Sequence, residues 1–422
     1  MARAAEAIDF DPAEHYQTLR TPHFLVVHPD GYERLAHRAA RIAESAFERQ
    51  TARYGWDLSG RVTIVLDDRS DSASGGAQIS PSKTIYVSVA QPTAETSISD
   101  YDDWMETIIA HELAHVFHLD MVYGLPWVAR QLFGKSFSLN GATAAWNTEG
   151  LGVYEETVSS GAGRGRSTYG DMVLRMAALD DAFPGIDEAY YEQTRWPWAG
   201  TAYLFGGRFQ LWLAERYGEE ALVHYHRAYA STPIPFVTWL SAKLVFGRTL
   251  ESLWQEFGES VNEEARATFE AVESSTTGVT RFTRLTSLEG DAIAPRVTPD
   301  GLFVVFSHLS PFEGETVRVV PVEGGRDTIL LRDVSSRTFG FGPDGSIYFH
   351  RTDIDALYSR KDHLERYDFV SKSSQALVPV DRAYGAPKRL ERSSDPDVSR
   401  SGRHVAFVQR HQGQTQLVVA RL

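Results

Sequence analysis

Near residue 280 the chain changes texture, and that change limits its fold more than any other feature. Before it, apolar residues recur at the spacing of one buried helix face. After it, helix periodicity stops and a turn-then-strand unit repeats. Pro299-Asp300-Gly301 leads into LFVVF, Pro343-Asp344-Gly345 into SIYFH, and Arg400-Ser401-Gly402 into RHVAFV; the three glycines are 44 and 57 residues apart. Repeats of ~40–50 residues with four strands each read as propeller blades. A plain β-sandwich is the alternative for short strands and turns of this kind. Closed propellers have about 4–8 blades, so three repeats predict an incomplete ring and a chain that is a fragment of a longer protein. The run Ser274-Ser275-Thr276-Thr277-Gly278 marks the linker.

The first 100 residues read as alternating strand and helix. His23 to His28 is a strand ending at the turn Pro29-Asp30-Gly31. A helix is expected from Tyr32 to Tyr54, with Leu35, Ala39, Ile42, Ala43, Ala46 and Phe47 on its buried face. RVTIVL (61–66) and TIYVSV (84–89) read as strands joined by a Ser/Gly-rich connection, 70–82. From Asp100 to Val272 the pattern is helical, with segments at 103–119, 146–158, 168–180, 198–217, 219–230, 234–245 and 249–272. Asn147 or Thr148 is the expected cap of the second segment and Ser167 that of the third. Glu219 and Glu220 suit the first turn of the fifth, where the helix dipole favours negative charge.

Charge and composition exclude several classes. Asp and Glu number 56 against 42 Lys and Arg, a formal net charge of −14. An acidic chain is poorly matched to nucleic-acid phosphates or to an anionic membrane, so neither is an expected partner. No stretch approaches the ~20 apolar residues of a membrane span. With no cysteine, disulfides, thiol nucleophiles and Cys-type zinc sites are ruled out. Met1 to Phe10 has one arginine and no apolar core, so it does not read as a signal peptide.

The strongest chemical signal is His111-Glu112-Leu113-Ala114-His115. On a helix, residues i and i+4 lie about 40° apart around the axis, so both imidazoles leave one face and can share one zinc ion. Glu112, beside them, is placed to take a proton from a metal-bound water. Met105, Ile108 and Ile109 supply the apolar stripe that buries such a helix.

Catalytic zinc takes three protein ligands. His118 follows on the same face, but three successive turns rarely supply ligands, and the metzincin extension fails because position 121 is methionine. His118 is therefore expected in a second shell or in the core. Glu149, in Trp146-Asn147-Thr148-Glu149-Gly150-Leu151, opens a predicted helix 34 residues after His115 and is the better third ligand. Glu156, seven residues on and two turns along that face, can accept a hydrogen bond from a ligating imidazole; Glu155 is the lesser alternative.

The combination HELAH…WNTEGLGVYEE resembles the gluzincin metallopeptidases, including aminopeptidase N-type enzymes with H-E-x-x-H followed by N-E-G. Here Thr148 precedes the glutamate, and the Gly-x-Met-x-Asn exopeptidase signature is missing, so aminopeptidase activity is not implied. The layout more closely resembles bacterial peptidase MA-like proteins with a C-terminal Tol-type (TolB-like) β-propeller, across nearly the whole chain. The resemblance implies an α+β protein: a thermolysin/aminopeptidase-like zinc peptidase lobe at 1–160, a helical lobe at 161–275, and an incomplete β-propeller of about three blades at 280–422. It implies Zn2+ held by His111, His115 and Glu149, with Glu112 as general base acting on a peptide or protein substrate. It places a catalytic tyrosine near the start of a later helix, here Tyr203, to stabilise an oxyanion, with Tyr154 and Tyr190 as lesser alternatives. It also implies export to the periplasm or beyond.

The rival reading is a cell-envelope binding module, in which the propeller captures a protein partner and the zinc lobe is silent. A zinc hydrolase with a non-peptide substrate is a third. The Gly-rich run 161–166 follows a helix and reads as a flexible loop whose arginines meet a substrate carboxylate. LPWVARQLFGKSF (125–137) reads as packing, or else as a lid or partner contact. TIYVSV is the expected edge that receives an extended peptide.

Overall fold

In the computed structural model the described residues are 15–68, 73–92, 98–134, 139–190, 196–197, 200–233, 238–275, 282–310, 312–332, 334, 338–355, 359–377, 393–411 and 414–422. The N-terminal run 1–10 and linker residues 276–278 lie outside them. The chain is an α+β protein of two compact units, one holding residues 15–67 and 74–275 and the other residues 282–422.

The first unit begins with a five-stranded sheet. Its strands are β1 (Tyr16–Arg20), β2 (Phe24–Pro29), β3 (Val62–Asp67), β4 (Gly75–Gln78) and β5 (Thr84–Ser88), in the order β1-β2-β3-β5-β4. β2, β3 and β5 run parallel, while β1 and β4 pair antiparallel at the two edges. Alternation explains β3: Val62, Ile64 and Leu66 are buried, while the residues between them are less so. α1 (Glu33–Tyr54) joins β2 to β3, burying Ala36, Ala39, Ala40, Ala43, Ala46 and Phe47, and Gly55 ends it at φ 55°.

α2 (Trp104–Asp120) carries HELAH. Asp103 caps it, accepting from Met105 N at 3.0 Å and Glu106 N at 3.4 Å. Nearly every residue from Trp104 to Asp120 is buried, the signature of a helix enclosed on all sides. α1 is tied to it by Gln50 Nε2, which donates to Ala110 O at 2.8 Å.

α3 (Gly124–Phe133) follows, then α4 (Ala145–Ser159), α5 (Thr168–Leu179), α6 (Thr201–Tyr217), α7 (Glu219–Ala230), α8 (Thr238–Phe246) and α9 (Leu250–Glu273). Ser167 caps α5, its hydroxyl oxygen accepting from Gly170 N, and Glu219 and Glu220 occupy the first turn of α7 as expected. α4 starts earlier than the sequence implies. Its N-cap is Ala144, so Asn147 and Thr148 are inside the helix and cap nothing. α4 and α6 meet through glycine: a Cβ on Gly206 would lie 2.3 Å from Trp146 O. Only a bare backbone allows that approach, which brings Tyr203 of α6 beside α4. Behind the contact, Phe209 meets Trp254 edge-on at 4.9 Å and Phe183 meets Phe205 at 5.1 Å.

α3 is an amphipathic helix whose Leu125, Trp127, Val128 and Leu132 are exposed, so the expectation of plain packing for this segment fails on that face.

Among the described residues the second unit forms three antiparallel meanders. The first is β6 (Asp291–Val297), β7 (Phe303–Ser310), β8 (Gly314–Pro321) and β9 (Thr328–Arg332). The second is β10 (Gly340–Phe341), β11 (Ile347–Asp355), β12 (Ser359–Asp368) and β13 (Ser373–Ala376), and the third β14 (Ser393–Val398), β15 (His404–His411) and β16 (Gln414–Arg421). The repeated turns are built alike. Gly301, Gly345 and Gly402 have φ of 76°, 83° and 67°, and each donates its N–H to the residue three back, Thr298, Gly342 or Ser399. Successive sheets stack. Ile347 and Phe349 of β11 pack with Val305, Val317 and Leu331 of the first sheet, while Tyr348, on the other face, packs with Val405 and Phe407 of the third.

Candidate metal centre

α2 and α4 bring three donor atoms together. His111 Nε2 lies 3.1 Å from His115 Nε2 and 3.3 Å from Glu149 Oε2, and His115 Nε2 lies 3.3 Å from Glu149 Oε2. The side chains are buried and form a group able to hold a metal ion. The spacing itself is a test. Ligand bonds of ~2.0–2.1 Å at tetrahedral angles put donor atoms about 3.3 Å apart. Two imidazoles and a carboxylate at that separation fit a metal such as zinc.

Electrostatics follows from burial and neighbours. Burial pushes the Glu149 carboxyl up, but the charges and hydrogen bonds of His115 and His111 outweigh it and hold it well below the usual range. Burial and Arg164 push the His111 imidazole down, but hydrogen bonds to Glu149 and Glu156 win and raise it to about 9. Burial dominates at Glu112 and pushes its carboxyl up against the opposing histidines. Glu112 Oε2 is buried with no hydrogen-bond partner among the described residues. A carboxylate oxygen left unmatched inside a protein is costly, and it commonly marks a working group. Across from it runs β4: a Cβ on Gly75 would lie 2.7 Å from Glu112 Oε1 and 2.5 Å from Ile108 Cδ1.

Glu156 Oε2 stands 3.1 Å from His111 Nδ1, on the side of the ring away from Glu149. Burial raises its carboxyl, but Arg164 overrides this and lowers it to about 2. Glu155 points elsewhere, to Arg53 Nη1 at 2.6 Å and to the Tyr54 hydroxyl. Tyr203 lies nearly parallel to the His111 ring, 6.3 Å between centroids, and its phenol is pushed up by burial, then by the charge of Glu149, to which it also hydrogen-bonds. Tyr154 sits near Arg53, 5.9 Å from its guanidinium, and Tyr190 is exposed. His118 is fully buried in the core, its ring 5.5 Å from His226 and neither nitrogen hydrogen-bonded among the described residues.

Two sequence expectations are corrected. TIYVSV is no edge: β5 lies between β3 and β4, and the edge nearest Glu112 is β4, hidden in the Ser/Gly-rich connection. The Gly-rich run sends only one of its arginines outward, the exposed Arg166. Arg166 Nη1 donates to Ser160 O at 2.9 Å and Ala162 O at 3.2 Å, and Arg164 turns inward to the metal centre. The sequence offers Arg164 to a substrate carboxylate and misses its place beside the histidine; its side chain donates to Glu156 at 2.8 and 2.9 Å. The signal was present as an arginine among glycines directly after the Glu helix, but nothing local says which way the loop folds.

No family model and no curated protein matches the chain. Among solved structures, a putative TolB from Agrobacterium tumefaciens is 23% identical over 30% of this chain and 40% of its own, with a TM-score of 0.25. A TolB from Acinetobacter baumannii is 14% identical over 32% of this chain and 42% of its own, TM-score 0.21. Legionella pneumophila aminopeptidase A in complex with aspartic acid is 11% identical over 83% of this chain and 34% of its own, TM-score 0.34. The chain spans less than half the length of each of these. Scores this low place no function on the chain. Among the described residues, no helix is long and apolar enough to cross a membrane.

Proposed function

We propose that the chain is a zinc-dependent peptidase. The observation that carries this reading is the set of three buried donor atoms 3.1–3.3 Å apart beside an unpartnered carboxylate oxygen of Glu112. His111, His115 and Glu149 would hold the ion. When bound, zinc supplies Lewis-acid activation of water and of a carbonyl.

The chain's own residues do the rest. Glu112 takes the proton of the attacking water at its free oxygen and delivers it to the leaving amine. Its raised carboxyl suits both halves of that cycle, since a base too weakly basic could not hold the proton between them. Tyr203 keeps its proton because burial raises the phenol, and its hydroxyl, hydrogen-bonded here to Glu149, would turn to donate to the developing oxyanion. An extended peptide added to the outer edge of β4 would run beside Glu112, held mainly by backbone pairing. The stacked meanders of residues 282–422 support a further proposal of propeller blades, with a protein partner as their expected ligand.

The test is hydrolysis of a mixed peptide pool. Cleavage that stops with a chelator, returns with zinc and is missing in Glu112→Gln supports the reading. Cleavage unaffected by chelator, or none by zinc-loaded wild type, removes it.

A further inference from the structure

Two glutamates stand side by side on α4, and each has its own arginine. Glu155 takes Arg53, at 2.6 Å, in a contact that does not touch the metal centre. Glu156 takes Arg164. The planar guanidinium grips this carboxylate at both oxygens, Nε to Oε1 at 2.9 Å and Nη2 to Oε2 at 2.8 Å, and the Arg164 backbone N–H adds a third bond to Oε1 at 2.8 Å. Three donors on one carboxylate leave it no freedom to rotate.

The remaining approach to Oε2 is taken by His111 Nδ1, at 3.1 Å. Oε2 thus accepts from two donors, which brings Arg164 Nη2 within 2.9 Å of His111 Nδ1. A guanidinium has no acceptor, and the carboxylate has no proton to give. His111 Nδ1 therefore carries a hydrogen, and a metal bound where His115 and Glu149 converge would take the Nε2 lone pair. The other face of the same guanidinium lies 4.7 Å over the ring of Tyr203. The loop can reach this point because Gly163 holds φ 97° and packs bare backbone against Thr157 and Glu156, where a Cβ would lie 3.1 and 3.2 Å from their main-chain atoms.

We infer that Arg164 is a positioning residue of the metal centre: through Glu156 it fixes the tautomer and orientation of His111, and through its face it fixes Tyr203. This rests on the zinc reading above. Lysine cannot replace it, because a single ammonium cannot bridge both carboxylate oxygens and cover the ring together.

The test uses the full chain and reads metal rather than turnover. Zn2+ affinity is measured by competition with a chromophoric chelator, and the visible spectrum of the Co2+-loaded protein reports ligand geometry. Arg164→Met is expected to bind Zn2+ about tenfold or more weakly, with altered Co2+ bands. Arg164→Lys is expected to lose several-fold, and it decides the matter alone if Arg164→Met does not fold. Arg53→Met, which breaks the pair between α1 and the neighbouring Glu155 of α4, is expected to keep wild-type Zn2+ affinity within about twofold. Wild-type affinity and spectrum in the Arg164 variants would overturn the inference, as would an equal loss in Arg53→Met, since Arg164 would then act only on the fold. A wild type that binds no Zn2+ would instead remove the zinc reading itself and this inference with it.

Discussion

Gly152 of α4 faces the imidazole of His111 of α2, so closely that a Cβ added to it would lie 2.4 Å from the ring's Cε1. The two helices that supply the ligand set are held at a distance only glycine permits. Gly152→Ala should therefore push His111 out of register while improving local helix propensity by up to ~1 kcal/mol. The expected result is unchanged helical circular dichroism with Zn2+ affinity reduced about tenfold or more. Wild-type affinity would show that His111 has room the packing does not reveal.

Glu112→Gln keeps the size of the side chain and removes the proposed base. Turnover of a cleaved peptide should fall by about 10²–10⁴. Zn2+ affinity should stay within a few-fold, because Glu112 is outside the donor set. Steady-state rates beside a chelator titration separate the two effects, and retained turnover would take Glu112 out of its role.

His226 gives stability a pH dependence of known sign. Burial lowers its imidazole from 6.5 to about 3. The unfolded chain then binds the proton first, so this contribution is fully present above pH 6.5 and fades as pH falls toward about 3. Urea midpoints at pH 7 and pH 5 should show wild type losing about 2 kcal/mol more than His226→Gln over that interval. Equal losses would mean the imidazole titrates as it does in water.

Arg53 joins three helices, from α1 to Glu155 on α4 and Glu219 on α7. Removing one partner of a buried pair leaves the other charged and desolvated. Arg53→Met should cost about 3 kcal/mol in a urea titration. A loss below 1 kcal/mol would place the pair in the class of exposed ion pairs.

The sequence carried some of this site plainly and the rest not at all, for physical reasons. HELAH was legible because residues four apart on a helix share a face, and Glu149 and Glu156 because residues seven apart share it still more closely. Both patterns are local. The blade-like turns were legible for the same reason, since Gly301, Gly345 and Gly402 each need a positive φ. β4 was hidden because Gly-Gly-Ala-Gln has no strand preference of its own and becomes a strand only by pairing with β5. Without that edge, TIYVSV reads as the outer strand. The early start of α4 escaped because Asn147 is a good cap that the structure uses instead inside the helix, where its Oδ1 accepts from Gln210 Nε2 at 2.9 Å. The contact of Arg164 with Glu156 was invisible because the fold of a glycine-rich loop is decided by what it packs against, here Thr157 and Glu156.

The most direct measurement is the zinc content of the purified chain supplied with zinc, wild type beside Glu149→Ala. The expected result is about one zinc per wild-type chain, lost or strongly reduced in the variant. No zinc in wild type, or equal zinc in both, would contradict a centre built from His111, His115 and Glu149.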